Sequence, residues 1–375
     1  MSDAPRTLTV SLLLAALTIS CAKSVDLSSA DRSEPPAKFR ATGDPTAVAE
    51  INERVSDIVV DEQRIYWAGS DGTAYPFLWL RSCAKQDCAN TVVDYASTEY
   101  WLPFGVENGQ VYWIDLDTCC SVVSSCGVGG CTGAPREVGR TSPNEGAASQ
   151  VAFTSDAVYL CGESFLEKIP LSGAGPRLTL AAPSTCSAVA ARDDFVYWIA
   201  QSDTNPSLLA LRRTAVDGSS SPTLLADSLR IPSDAFARGI SNRRVRTIAL
   251  TANFAYWGQG SLYGSIARCS LMGCPAGPEV IAEPLRSPFG VLVDGSTLYF
   301  QYDTSEQAGA IASLLLPSGA PSEPLADNVQ SQSALAIDDR YVYTATSDEP
   351  PPVNDDWVDP WASIRRIPKP VGAPQ

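Results

Sequence analysis

Histidine is absent from the 375 residues, and methionine occurs only twice. The first absence excludes Ser-His-Asp and Cys-His nucleophile systems, imidazole proton shuttles and histidine-ligated metals, and leaves carboxylates as the main acid–base groups. Charge is sparse, at 18% of residues, and lopsided: 42 acidic against 27 basic side chains, net −15. Such a chain has no electrostatic footprint for nonspecific binding to nucleic acid or to anionic lipid. No Walker loop and no Rossmann glycine pattern is present. Gly127-Val128-Gly129-Gly130 lies between two cysteines and reads as turn chemistry. The apolar stretch Thr7 to Ser20 is too short to span a bilayer.

What is present is a repeat. Seven aromatic-pair anchors recur: Tyr66-Trp67, Tyr112-Trp113, Tyr159-Leu160, Tyr197-Trp198, Tyr256-Trp257, Tyr299-Phe300 and Tyr343-Thr344. Their successive gaps are 46, 47, 38, 59, 43 and 44 residues. A period in this range with β-type punctuation marks propeller blades. Each unit opens with an apolar run such as Asp57–Asp61, Thr247–Leu250 or Ala334–Asp338. A turn follows, such as Asn108-Gly109, Asp193-Asp194 or Asp294-Gly295. Asn-Gly and Asp-Gly suit the positive φ of a two-residue hairpin. Then come the aromatic strand, a variable loop, a third strand such as Ser265–Cys269, and a fourth ending in Leu-Ala or Ile-Ala, as in Thr223–Ala226, Glu279–Ala282 and Glu323–Ala326. The expectation is an all-β, seven-bladed β-propeller of four-stranded antiparallel blades over 45–370, with six or eight blades the competing counts. Inner strands should be buried on both faces. Residues 46–51 match a blade's last strand, whereas the last unit stops after its third, near Ser363–Ile367. The N-terminal strand should therefore close the ring.

The Tyr-Trp repeat resembles that of bacterial secreted propellers, and more distantly the YWTD propellers of lipoprotein receptors. Trp113-Ile114-Asp115 comes closest to the full motif. The resemblance implies a propeller and carries over no ligand.

Residues 1–20 read as an export signal. Cys21 after Leu17-Thr18-Ile19-Ser20 resembles a bacterial lipobox, which makes Cys21 the lipidated N-terminus, 21–44 a polar, disordered tether and 371–375 a tail. The alternative is an ordinary secretory signal with a spare cysteine. The expected location is an exported, membrane-anchored lipoprotein facing periplasm or cell surface, or a secreted one. Eleven cysteines less Cys21 leave ten. Cys83/Cys88, Cys126/Cys131 and Cys269/Cys274 share one spacing at the turn between third and fourth strands, where a bridge staples a hairpin. Cys161 and Cys186 suit a link between adjacent blades, and Cys119-Cys120 remain as a vicinal pair. Ten paired thiols imply an oxidising compartment.

Two insertions break the repeat on the face where second-to-third-strand loops and inter-blade loops open. One, about 228–246, carries Arg230, Arg238, Arg243, Arg244 and Arg246. The other, after the last aromatic strand, holds Asp348, Glu349, Asp355, Asp356 and Asp359 with Trp357 and Trp361. Asp71, Asp115, Asp117, Glu163, Asp203, Asp303 and Glu306 fall on the same face. A platform with basic and acid-aromatic lobes suits an envelope or extracellular protein, a peptide or a glycan. The bland alternative is that the lobes neutralise each other. The chain is expected to be a monomeric binding module without catalytic residues, metal or cofactor, calcium on the acidic loops being the exception considered. The rival class is a carboxylate- and calcium-dependent propeller hydrolase of the lactonase kind. The lipobox reading is checked by intact mass. The mature chain should begin at acylated Cys21; a mature N-terminus elsewhere contradicts it.

Overall fold

The computed structural model describes residues 47–370 except 52–53, 71–77, 99–102, 118–119, 143–146, 184, 206, 230–246, 261–262, 305–307, 317–323, 331–334 and 348–361. They form a seven-bladed β-propeller within one compact unit, Glu34–Gln375. Blades 1 to 6 span 54–98, 104–140, 148–181, 186–229, 249–285 and 289–330. Blade 7 combines three strands from 336–368 with Ala47–Ile51. In every blade the strands pair antiparallel in sequence order, and the expected closure is observed. Ala47–Ile51 pairs with Ala362–Pro368 as the outermost strand of blade 7, from Ala47 opposite Arg365 to Ile51 opposite Ala362.

The Tyr-Trp repeat follows from strand geometry. Neighbouring residues of a strand point to opposite faces, and a blade's two faces meet two different blades. Tyrosine packs toward the following blade and tryptophan toward the preceding one. Tyr66 thus meets Trp113 between blades 1 and 2, Tyr197 meets Trp257 between blades 4 and 5, and Tyr343 meets Trp67 across the closing seam. The core is accordingly seven clusters, one per seam. Two of the three units that depart from Tyr-Trp keep the arrangement with other side chains: Leu160 faces Tyr112, and Phe300 faces Tyr256; in blade 7 the position is Thr344, and Tyr299 packs instead with Leu335 and Val342.

Two turn chemistries shape the first hairpin of the blades. Asn108 and Gly109 both have positive φ, 52° and 73°, as a two-residue hairpin of primed type requires. Asp61 and Asp338 act through their carboxylates instead. One oxygen of Asp61 accepts the amides of Gln63 and Arg64, and the other accepts the Tyr66 hydroxyl at 2.7 Å. Asp338 does the same with Arg340, Tyr341 and Tyr343. Burial and the bond to Asp61 push the Tyr66 hydroxyl well up from its ordinary pKa.

A polar contact recurs at the seams. The residue just after the third strand docks on the preceding blade. Lys85 binds Asp338 and Lys369 binds Asp294, while the carbonyls of Val128, Leu171 and Leu271 accept Tyr95, Arg136 and Arg213.

Several strand boundaries differ from expectation. Inner strands are only half-buried along much of their length, as in Ala148–Phe153 and Phe289–Asp294, because their free edge lines the axis. In blade 5 the first strand is reduced to Ala249–Leu250, and the Thr247 hydroxyl ahead of it accepts the Val291 amide of blade 6. Fourth strands run past Leu-Ala, to Leu229 and Leu285. In blade 6 the strand begins at Ala326, where the sequence pattern ends it. The single pair Val329–Thr346 joins blades 6 and 7 into one sheet. Each of the seven fourth strands is out of register with the third by a bulge, a device that spoils an outer edge as a template for further pairing.

The Lys85–Asp338 latch makes closure pH-dependent. Burial opposes charge on Asp338, but Lys85, the Arg340 amide, the Tyr343 hydroxyl and the Tyr341 amide outweigh it and hold its pKa to about 2. A folded pKa below the unfolded one contributes stability that is present above about pH 4 and lost as pH falls through about 2. Asp338→Asn should therefore lower stability by about 1 kcal/mol at neutral pH and make no difference below pH 2 in denaturant titrations. An equal deficit at both pH values would contradict the latch.

Candidate functional site

Antiparallel order divides the propeller into two ends. At one open the first-to-second and third-to-fourth turns. Three of these carry bridges: Cys83–Cys88, Cys126–Cys131 and Cys269–Cys274, with Cα separations of 4.7, 5.1 and 5.6 Å. At the other open the second-to-third loops and the inter-blade connections. The fourth bridge, Cys161–Cys186, joins the second strand of blade 3 to the first of blade 4 near this loop-bearing end, at a Cα separation of 5.8 Å. All four pairings agree with the sequence reading. Cys120 is buried; Cys119, its expected partner, lies outside the described residues, as does Cys21.

Both insertions depart from the loop-bearing end. The first leaves after Leu229 and returns at Thr247; the second leaves after Ser347 and returns at Ala362. Arg230, Arg238, Arg243, Arg244, Arg246, Asp348, Glu349, Asp355, Asp356, Trp357, Asp359 and Trp361 lie outside the described residues, and so do Asp71 and Glu306.

The described carboxylates of this end do not gather into one centre. Asp115 is held between blades 1 and 2: one of its oxygens accepts Trp113 Nε1 and Ser124 Oγ, each at 2.9 Å. Burial raises its pKa, and the two hydrogen bonds only partly offset this. The same position two residues after tryptophan is Gln259 in blade 5, which accepts Trp257 Nε1 at 3.3 Å. Asp115 thereby has a structural task, orienting the tryptophan that fills the seam. Asp117 faces Arg140 at 3.6 Å, and Arg140 also chelates Glu137. Asp203 pairs with Arg212 at 2.8 Å, Glu163 is exposed, and Asp303 is buried. Among the described residues no three His, Cys, Asp or Glu side chains are placed to hold a metal ion.

The sequence reading missed Glu167. It is fully buried in the seam between blades 2 and 3, within 3.1 Å of Arg177 Nε and in reach of Ser142 and Thr179. Arg177 also binds the Arg140 carbonyl of blade 2. Glu167 shares its strand face with Ile169, a parity that marks a seam-facing position; nothing else in the sequence singles it out. The missed pair Arg81–Asp94 at 2.6 Å likewise belongs to a blade's own third and fourth strands.

No family model and no curated protein sequence matches the chain. Among solved structures it is similar to a puromycin-hydrolysing peptidase of Mycobacterium tuberculosis, with TM-score 0.58 and 12% identity over 84% of this chain and 52% of that one. It is also similar to the acylaminoacyl peptidase of Pyrococcus horikoshii, with TM-score 0.54 and 9% identity over 80% and 50%. A chain of the nidogen–laminin complex matches at TM-score 0.44 and 14% identity, over 66% of this chain and 92% of that one. The chain spans about half the length of the two peptidases. At these identities the likeness is one of fold.

Proposed function

We propose that the protein is an exported, lipid-anchored propeller that acts as a binding or scaffold module and recognises an envelope or extracellular protein, peptide or glycan through its loop-bearing end. The observation that carries this reading is the departure of both insertions, one basic and one acid-aromatic, from the same end of the ring, opposite the end that carries the first-to-second and third-to-fourth turns. A rigid scaffold that concentrates its sequence irregularity at one end is the usual arrangement for recognition loops. Four disulfides support export to an oxidising compartment. Lipidation at Cys21 rests on the sequence alone.

The hydrolase reading has less support. Of the described carboxylates of the loop-bearing end, Asp115, Asp117 and Asp203 hold tryptophan, serine and arginine partners within the fold, and the first strands are mainly Val, Ile, Ala and Leu.

The test is a crosslinking pull-down from native envelope, comparing the full chain with one lacking 348–359. The expected result is a specific partner recovered with the full chain and lost, by tenfold or so (about 1.4 kcal/mol), on deletion. Equal recovery from both would contradict the assignment of the site. If both recover only background, a calcium-induced rise in unfolding temperature would favour the hydrolase instead.

A further inference from the structure

The seam between blades 6 and 7 is built differently from the other six. The position after the tyrosine, which elsewhere brings tryptophan, leucine or phenylalanine to the seam, is Thr344. Among the described residues the buried cluster there is Tyr299, Ile311 and Val329 of blade 6 with Leu335 and Val342 from the blade 7 side. On its other face blade 7 gives Tyr343 to Trp67, with Ile51, Ile58 and Ile364 around them. The polar contacts differ in the same sense. Asp294 and Tyr299 have the five-residue spacing of Asp61–Tyr66 and Asp338–Tyr343. One oxygen of Asp338 accepts both the Lys85 ammonium and the Tyr343 hydroxyl. Asp294 accepts Lys369 instead, and the buried hydroxyls of Tyr299 and Thr297 have no partner. The Asp294 side chain is 48% exposed against 15% for Asp338, so solvent screens the first ion pair more than the second.

We infer that the native ring opens at the seam between blades 6 and 7, blade 7 swinging away from blade 6 while it stays packed on blade 1. Each difference lowers the cost of that opening. A threonine in place of a large apolar side chain leaves less surface to return to water. Hydroxyls buried without partners are relieved when water reaches them. What holds the seam shut is the small apolar cluster, the Lys369–Asp294 pair and the single strand pair Val329–Thr346. The rival seams are better secured. That of blades 3 and 4 has Trp198 and the Cys161–Cys186 bridge, and that of blades 2 and 3 has Leu160 and Phe165 against Tyr112. Local opening of the least-packed unit is the usual form of native-state motion. Its consequence falls on the loop-bearing end. Ser347, from which the second insertion departs, moves with blade 7, while Leu229 and Thr247, which flank the first, stay with blades 4 and 5. The inference stands on the seams alone and survives if the binding reading fails.

The experiment measures native-state reaction of the full chain with a thiol reagent, one buried side chain at a time being replaced by cysteine. Val342→Cys reads the seam of blades 6 and 7, Ile364→Cys that of blades 7 and 1, and Val158→Cys that of blades 2 and 3; all three side chains are inaccessible in the closed ring. Peptide mass locates each labelled thiol and separates it from Cys120. Labelling at 342 should be about tenfold or more faster than at 364 and 158, because the rate follows the population of the open seam. Equal rates at the three positions, or faster labelling at 364 or 158, overturn the inference. Should Val342→Cys fail to fold, Ile311→Cys reads the same seam from blade 6. Adding Tyr299→Phe should leave labelling at 342 no faster, since its hydroxyl holds nothing, whereas Tyr343→Phe should speed labelling at 364 severalfold. A rise with Tyr299→Phe, or none with Tyr343→Phe, contradicts the difference between the two seams.

Discussion

The structure depends on one contact repeated at six of the seven seams: a tyrosine from one blade meeting the large apolar side chain that follows the next blade's tyrosine. Burying a tryptophan at a seam removes a large apolar area from water, and truncation of such a residue costs about 3–5 kcal/mol. The pairing works because two consecutive residues of a strand point to opposite faces. One dipeptide thereby serves two seams at once, and no blade is complete without both neighbours. Turn carboxylates on Asp61 and Asp338 fix the tyrosine hydroxyls, while Asp115 and Gln259 fix tryptophan nitrogens. These polar groups satisfy the rings' edges where they would otherwise be buried without partners.

That dependence explains what the sequence shows and what it conceals. The blade count, the strand order and three cysteine pairings were legible because each leaves a periodic mark: an aromatic pair, a turn residue, a five-residue cysteine spacing; the closing strand and Cys161–Cys186 were legible from their place in that repeat. Strand ends were less legible. Thr247 pairs with the next blade through its side chain, and the start of the blade-6 outer strand is displaced to Ala326. Both depend on contacts between units that a repeat pattern does not encode. The half-buried inner strands were misread as doubly buried because an apolar run looks the same whether its edge meets protein or the axis. Glu167 and Arg177 were invisible for another reason: the pairing is made by a residue ahead of a short strand, and only the further bond of Arg177 to the Arg140 carbonyl crosses the seam.

The candidate site was legible only as a location. Anchor spacing finds the two insertions, and topology sets both on one end. The residues that give them chemistry, Arg238, Arg243, Arg244, Asp355, Asp356, Trp357, Asp359 and Trp361, lie outside the described residues. Of the described carboxylates nearby, Asp115, Asp117 and Asp203 are committed within the fold.

The ring itself depends on the closing strand, Ala47–Ile51. Hydrogen exchange of the full chain should be compared with that of a chain beginning at residue 52. Removal of the strand should strip protection from the amides of Ala362–Arg365 that face it, while those bonded to Tyr341–Ser347 keep theirs, and should weaken the seam between blades 7 and 1. The seam between blades 3 and 4, held by Cys161–Cys186, should keep its protection. Unchanged exchange along Ala362–Pro368 would contradict closure by the N-terminal strand.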